Sequence, residues 1–370
     1  MTTLLTTHDV AKIVATHGLP QMFSRLVDYL EADFARWNDF DKTARTAAHS
    51  DVGVIELMPV ADDREYSFKF VNGHPSNYRH GLSTVMAFGA LADVETGMPT
   101  VLSELTMTTA IRTAATSIMA AKKLARKDAK VMALIGNGAQ SEFQALAFHH
   151  MLDIEEVRLY DVDPATTDKL AANLAEAAPK LRVVRAADTR EAVRGADIVT
   201  TVTADKKNAT ILSADMIEPG MHINAVGGDC PGKTELDPAI LTAANTKTYV
   251  EFEPQSRIEG ELQHMAADFK VTEFWRVVAG ERRQVDAGDR LHQPGCLVFL
   301  LDRTPCRQRC GAALGRRTVD GDILEPFRQE LGAGIARMCL PRPEFGDVGA
   351  RPLLGFHPTL LRTPPRKPRG

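Results

Sequence analysis

Asp229, Lys233 and Glu235 crowd one short segment of this 370-residue chain, Asn224-Ala-Val-Gly-Gly-Asp-Cys-Pro-Gly-Lys-Thr-Glu-Leu236. The segment follows a buried strand, where ligands bind in open α/β sheets. Gly227 and Gly228, directly before the acid, suit close approach to a cofactor ring. The plainer reading is a polar turn built by Gly227, Gly228, Pro231 and Gly232. A second group is Gly136-Asn-Gly-Ala-Gln-Ser141. There Gly136 allows a tight turn and Gly138 lets the backbone approach a pyrophosphate. A helix starting after the turn would add free N–H groups and positive partial charge. Asp161, 25 residues after Gly136, can accept from both ribose hydroxyls and would repel a 2′-phosphate, which favours NAD over NADP. The third glycine position holds Ser141, so the match to the fingerprint is imperfect. The third group is scattered: Arg45, Lys69 and Arg112, with Glu56 between Ile55 and Leu57. Lys69 sits within an otherwise apolar strand and Arg112 within an Ala/Thr-rich helix, and a cation on such an element usually snorkels or pairs with an acid.

The elements that must position these residues follow from periodicity. Apolar Val131-Met-Ala-Leu-Ile leads into the glycine turn, Glu142–Leu152 is helical, and Val157–Tyr160 is a second strand ending on Asp161. Strands are also expected at Arg182–Arg185, Asp197–Val202, His222–Val226 and Thr248–Glu251, with helical stretches between several of them. A doubly wound parallel sheet is the economical reading. Before it, Thr7 is placed to cap a helix near His8, and Pro20–Phe40 repeats Met22, Leu26, Leu30 and Phe34 at helical spacing. Val52–Ala61, Tyr66–Val71 and Thr84–Leu91 read as strands, and Asp93–Pro99 turns into Thr100–Glu104 as a hairpin. Thr106–Ala125 is an alanine-rich helix. Three parts are expected: an α+β substrate and dimerisation domain over 1–120, a Rossmann-type domain over 121–281, and an irregular or disordered stretch over 282–370.

Composition narrows the class. At 44% hydrophobic and 25% charged residues the chain is ordinary for a soluble globular protein. Met1–Pro20 lacks a signal peptide's basic start and apolar block, and no apolar run suits a membrane span, so a cytoplasmic protein is expected. Nothing points to nucleic acid. The net charge of −4 hides a split: residues 1–281 carry 28 Lys+Arg against 39 acids, and 282–370 carry 16 against 9. The last part has one lysine and fifteen arginines, with half of the prolines and four of the five cysteines. His292, Cys296, Cys306 and Cys310 do not make a metal pattern, and no metal is expected.

Four segments together carry a resemblance: the Gly136–Ser141 turn, Gly227–Leu236, Val54–Asp62 (Val-Ile-Glu-Leu-Met-Pro-Val-Ala-Asp) and Phe68–Pro75 (Phe-Lys-Phe-Val-Asn-Gly-His-Pro). The chain resembles the ornithine cyclodeaminase/μ-crystallin family from its first helices to about Glu281. The resemblance implies a homodimer whose substrate domains join in a β-barrel, each subunit binding NAD. It implies conversion of L-ornithine to L-proline and ammonia, with the NAD recycled. It places the substrate carboxylate on Arg45, Lys69 and Arg112, the catalytic acid/base at Asp229, and Glu56 near the distal amine. Cofactor contacts are implied at or near Thr84, Arg112, Asn137, Gly138, Ala139, Gln140, Asp161, Thr203, Asn224, Ala225, Val226, Gly227 and Lys233. The Arg-Thr-Ala-Ala run at Arg112 is shared with the family's alanine dehydrogenases and ketimine reductases, so a net oxidoreductase is the rival activity.

After Glu281 the resemblance stops. The family's further Rossmann strand, its cofactor-reaching turn and its closing helix are not recognisable. Arginine without lysine is what an out-of-frame reading of a GC-rich gene gives, so a frameshift near Arg282 is expected. The alternative is a basic tail for an acidic partner. On the frameshift reading the nucleotide sheet lacks a strand, and the chain binds NAD without turnover.

Overall fold

The computed structural model describes residues 1–204, 208–280 and 297–300, and its strands fall mainly into two large sheets. Two helices lead. Helix α1 (Thr7–His17) opens on a capping box: the Thr6 hydroxyl accepts from the Asp9 N–H, and the Asp9 carboxylate accepts from the Thr6 N–H at 2.8 Å. The cap is therefore Thr6 and not Thr7, because Asp9 answers it from three residues on. Helix α2 (Leu19–Ala35) buries Met22, Phe23, Leu26, Val27, Leu30 and Phe34 as one stripe. It ends at Ala35, short of the expected Phe40. Trp37–Asp39 tightens into a 3₁₀ turn, since Asn38 and Asp39 are poor helix formers.

The first sheet contains β1 (Thr3–Leu5), β2 (Asp41–Lys42), β3 (Thr46–Ser50), β4 (Gly53–Ala61), β5 (Glu65–Gly73), β6 (Ala87–Asp93) and β7 (Pro99–Glu104). Its order is β1-β7-β6-β5-β4-β2, with β3 also on β4. The central pairs are antiparallel, and only β1 runs parallel, to β7. Strand β4 alternates cleanly, with Val54, Glu56, Met58 and Val60 buried against exposed Ile55 and Leu57. The expected strand at Thr84 begins only at Ala87. The Thr84 carbonyl instead accepts from the His74 N–H at 2.9 Å.

Helix α3 (Thr106–Leu124) joins this sheet to the second one and buries nearly every residue it has. The second sheet is parallel and runs β10-β9-β8-β11-β13-β17-β15-β16. Its members are β8 (Val131–Ile135), β9 (Glu156–Tyr160), β10 (Arg182–Arg185), β11 (Ile198–Thr201), β13 (His222–Ala225), β15 (Lys247–Val250), β16 (Thr272–Glu273) and β17 (Leu297–Leu300). Helices α4 (Ser141–Leu152) and α5 (Pro164–Ala177) cross over between its first strands. Chain direction across the sheet reverses between β8 and β11, which is the switch point where such sheets bind ligands. Strands β12 (Asn208–Leu212) and β14 (Thr234–Leu236) form a small parallel pair beside it.

Strand β17 corrects the sequence reading, which recognised no further strand beyond Glu281. Leu297–Leu300 pairs with β13 on one side and β15 on the other. Val298 and Phe299 are fully buried in two different cores, so the strand is covered on both faces. A strand covered on both faces needs no alternation, so period 2 could not reveal it. The apolar run Leu297-Val-Phe-Leu was its signal. The rest of the expected irregular stretch, with the frameshift reading and with His292, Cys296, Cys306 and Cys310, lies outside the described residues.

Among the described residues no helix is long and apolar enough to cross a membrane, and no cluster of three or more His, Cys, Asp or Glu is arranged to hold a metal.

Candidate active site

The glycine turn closes as its sequence demands. Gly136 has φ +93°, and a Cβ there would lie 2.8 Å from the Val202 carbonyl carbon, so both backbone angle and space require glycine. Gly138 is exposed, and a Cβ there would meet nothing within 4 Å. Ser141, in the third glycine position, donates its hydroxyl to the Gly138 carbonyl at 2.6 Å and pins the turn. Asp161 accepts from the Asn137 N–H at 2.6 Å and the Asp163 N–H at 2.9 Å. One oxygen takes each bond, which leaves further acceptor capacity on both. The Asn137 side chain is spent inside the turn, donating to the Leu134 carbonyl and accepting from Thr167. Gln140 is buried at the helix start, and its Oε1 has no hydrogen-bond partner among the described residues. Ala139, between Gly138 and Gln140, is half-buried. A buried amide oxygen, the open space over Gly138 and the Asp161 carboxylate together fit a dinucleotide.

The loops after β11 and β13 are tied by one buried acid. Glu235 accepts from the Thr203 N–H at 2.8 Å, from the Thr203 hydroxyl at 2.5 Å and from the Gly227 N–H at 3.1 Å. A Cβ on Gly227 would lie 1.9 Å from the Glu235 carboxylate, and one on Gly228 would lie 2.8 Å from Gly260 Cα. The two glycines thus make room for Glu235 and Gly260. Asp229 follows them, partly exposed, and Lys233 Nζ stands 3.3 Å from its Oδ1 and 2.7 Å from the Thr203 carbonyl. Val226 extends β13, its N–H donating to the Thr201 carbonyl at 2.9 Å. Asn224 and Ala225 lie within the strand and are fully buried. The Asn224 side chain bonds His222 at 3.0 Å and lies 3.5 Å from Thr200 Oγ1, so it faces its own sheet and not the open end. Burial pushes the His222 imidazole down to about 4.

The cations come from three elements. Lys69 on β5 lies opposite Met58, and Glu56 on β4 lies opposite Val71, so both belong to the buried face of the first sheet. Arg45, just ahead of β3, pairs with Glu56 at 3.0 Å and with Glu259, while its N–H donates to Gln255 at 2.8 Å. Arg112 on α3 reaches Glu251, at the end of β15, at 3.4 Å. Pairing with acids, one of the two sequence readings, is what Arg45 and Arg112 do, and it draws them to the carboxyl edge of the parallel sheet. Thr84 lies in the loop ahead of β6, its carbonyl accepting from the His74 N–H. Sequence reasoning singled out Glu235 but not its bonds to Thr203 and Gly227, and it missed Glu251, Gln255, Glu259 and Glu261. Their only local signal was the density of acids after Lys233.

A parallel sheet with a glycine turn at its switch point, an acid on the next strand and buried cations at its carboxyl edge defines a dinucleotide-type α/β enzyme. More narrowly, the chain belongs to the ornithine cyclodeaminase/mu-crystallin family, whose sequence pattern matches residues 6–288. It is 53% identical over 277 residues to the ornithine cyclodeaminase of Agrobacterium fabrum, covering 75% of this chain and 77% of the relative. Among solved structures it is similar to a lysine cyclodeaminase that recognises L-lysine, L-ornithine and L-2,4-diaminobutyric acid. That match has TM-score 0.74 and 29% identity, covering 85% of this chain and 90% of the other. An archaeal alanine dehydrogenase dimer with bound NAD matches at TM-score 0.71 and 28% identity, covering 82% and 92%.

Proposed function

We propose that this chain is an NAD-dependent cyclodeaminase that turns L-ornithine into L-proline and ammonia. The observation that carries the reading is the meeting of two groups at one sheet edge. Asp229 and Lys233 stand on the β13 loop, and the Arg45–Glu56–Glu259 cluster is held against that loop by the segment from Gln255 to Glu261. Named ornithine cyclodeaminases share more than half of the aligned residues.

The chemistry of the residues follows. Gly136–Gln140, Asp161 and Thr203 would hold the dinucleotide, and Asp161 favours NAD. When bound, NAD supplies a two-electron acceptor and, once reduced, a donor, so the overall conversion is redox-neutral. Arg45 and Arg112 offer planar forks to the substrate carboxylate, and Lys69 adds a point charge. Glu56 faces the distal amine. Ring closure joins the δ-nitrogen to Cα and breaks the bond from Cα to the α-nitrogen, within one molecule and at high effective concentration. The δ-nitrogen enters as an ammonium and must be neutral to attack. Asp229 takes that proton and returns one to the departing ammonia.

The first 120 residues serve as the substrate and dimerisation part, and residues 121–281 with β17 as the nucleotide part. The homodimer is supported by an apolar face of the first sheet: Ile55, Leu57, Phe88 and Leu102 stand exposed, with Phe70 stacked on Phe88.

The test is L-ornithine with trace NAD, following proline, ammonia and the NADH absorbance. Proline and ammonia far in excess of NAD, with no NADH accumulating, is the expected result. Accumulating NADH would make the protein a dehydrogenase. NAD binding with no product would make it a nucleotide-binding protein without turnover.

A further inference from the structure

Arg45 is held by two acids at once, and only one of them has a place in the reaction above. Glu56 and Glu259 each bond one guanidinium nitrogen, and all three side chains are more than nine-tenths buried. Glu56 is also the acid that faces the distal ammonium of the substrate. A buried carboxylate locked to an arginine is poorly placed to serve a second cation, unless another acid keeps the arginine compensated. Glu259 is fixed to do that from both ends. Four residues ahead, Gln255 accepts from the Arg45 N–H at 2.8 Å. Directly behind, Gly260 packs on Gly228, and Glu261 accepts from the N–H groups of Glu235 and Leu236 at 2.9 and 3.2 Å. The acid is thus delivered by the same segment that braces the Asp229 loop.

Charge supports the same conclusion. Arg45, Lys69 and Arg112 are matched in number by Glu56, Glu251 and Glu259. L-Ornithine enters with one carboxylate and two ammonium groups, a net positive charge. Neutralising Glu259 would leave the set positive and draw Glu56 onto Arg45. Both effects act against a diamino acid.

We propose that Glu259 is a positioning residue: as the standing counter-ion of Arg45 it releases Glu56 for the distal ammonium, and so selects diamino over monoamino acids. The inference rests on the cyclodeaminase reading. Its test is steady-state kinetics of Glu259→Gln with L-ornithine, together with inhibition by L-norvaline, which has the same carbon chain without the δ-amine. KM for ornithine is expected to rise at least about tenfold, with kcat and the norvaline inhibition constant changing less than about threefold. Glu259→Asp should recover most of the loss. NAD titration and thermal unfolding report whether the variant folds. Should Glu259→Gln fail to fold, Glu259→Asp alone is expected to show a smaller rise in ornithine KM, and no rise overturns the idea. An unchanged ornithine KM overturns it as well, and so does an equal weakening of both ligands together with kcat, which marks a merely structural residue. A wild-type protein that makes no proline from ornithine overturns the parent reading instead.

Discussion

Lys233 stands beneath Asp229, its Nζ 3.3 Å from the Asp229 carboxylate and 2.7 Å from the Thr203 carbonyl. The lysine is fully buried while the acid is partly open, so the cation has no route to solvent and Asp229 does. One ammonium thereby links the end of β11 to the acid proposed to move the substrate's protons. Asp229→Asn is expected to abolish proline formation with NAD still bound, because the amide cannot take the proton. Lys233→Met keeps the acid but frees its orientation, and should lower kcat/KM about 100-fold, some 3 kcal/mol, as expected for breaking a buried charge pair. Fluorescence titration of NAD beside turnover assays checks both. Full activity in Asp229→Asn would remove the acid/base role.

Two glycines of the nucleotide turn should behave oppositely on substitution. Gly136→Ala meets backbone at 2.8 Å in a left-handed conformation and is expected to cost at least about 2 kcal/mol of stability. Gly138→Ala meets nothing, so unfolding should stay within about 0.5 kcal/mol of the parent. Its added methyl points into the space a pyrophosphate would use, so the NAD dissociation constant should rise at least about tenfold. Urea unfolding and NAD titration of the two variants separate space needed by the protein from space needed by a ligand. Unchanged NAD affinity in Gly138→Ala would move the pyrophosphate elsewhere.

Why some of this was readable and some not follows from distance along the chain. The turn at Gly136, the helix behind it and Asp161 are local: each lies within thirty residues of the others, and periodicity with two glycines suffices. Arg45 was readable as one of a scattered set of cations, but its partners Gln255 and Glu259 lie more than two hundred positions away, and no local pattern names them. Gly227 and Gly228 were recognised as special, but sequence shows only that space is needed and not what fills it. Glu235 fills it beside Gly227. Asn224 reads as a polar residue near an open strand end, yet its side chain satisfies His222 inside the sheet.

The exposed apolar face of the first sheet should govern assembly. Phe88 is half exposed and stacks on Phe70 with ring centroids 4.9 Å apart, on the same face as Leu57. Phe88→Asp puts a charge in the middle of that face, and burying it in an interface would cost several kcal/mol. Sedimentation should show a dimer for the parent chain and a monomer for the variant. A variant with the parent's sedimentation coefficient would place the interface on another surface.

Stability should depend on pH through two buried groups that act in opposite directions. Burial, with the Glu235 charge adding to it, pushes the Glu261 carboxyl up to about 8 from 4.5, against its two N–H donors and Lys233. Between those values the folded chain holds a proton that the unfolded chain has lost, so stability falls as pH rises through the window. His222 is pushed down to about 4 from 6.5, so there the unfolded chain holds the extra proton, and stability falls as pH drops from 6.5 toward 4. The two slopes oppose each other between pH 4.5 and 6.5, leaving a net decline from 6.5 to 8. Denaturant unfolding across this range should show that decline in the parent and lose it in Glu261→Gln. In His222→Gln the fall should begin already near 4.5. A Glu261→Gln profile parallel to the parent's would show that Glu261 is ionised throughout.

Phe299 tests whether the strand at Leu297–Leu300 is integral to the nucleotide sheet. Its ring is fully buried 5.1 Å from that of Phe274, which in turn lies 5.8 Å from Phe34 on α2. The strand therefore ties the sheet to the helices of the first half of the chain. Removing a buried phenyl ring costs about 3–5 kcal/mol, so Phe299→Ala should lose most of the stability of a domain of ordinary margin. Ile258, half exposed, serves as the comparison: Ile258→Ala should stay within about 0.5 kcal/mol. If Phe299→Ala unfolds in urea at the parent's midpoint, β13 and β15 do not depend on a strand between them, and the sheet must close without residues 297–300.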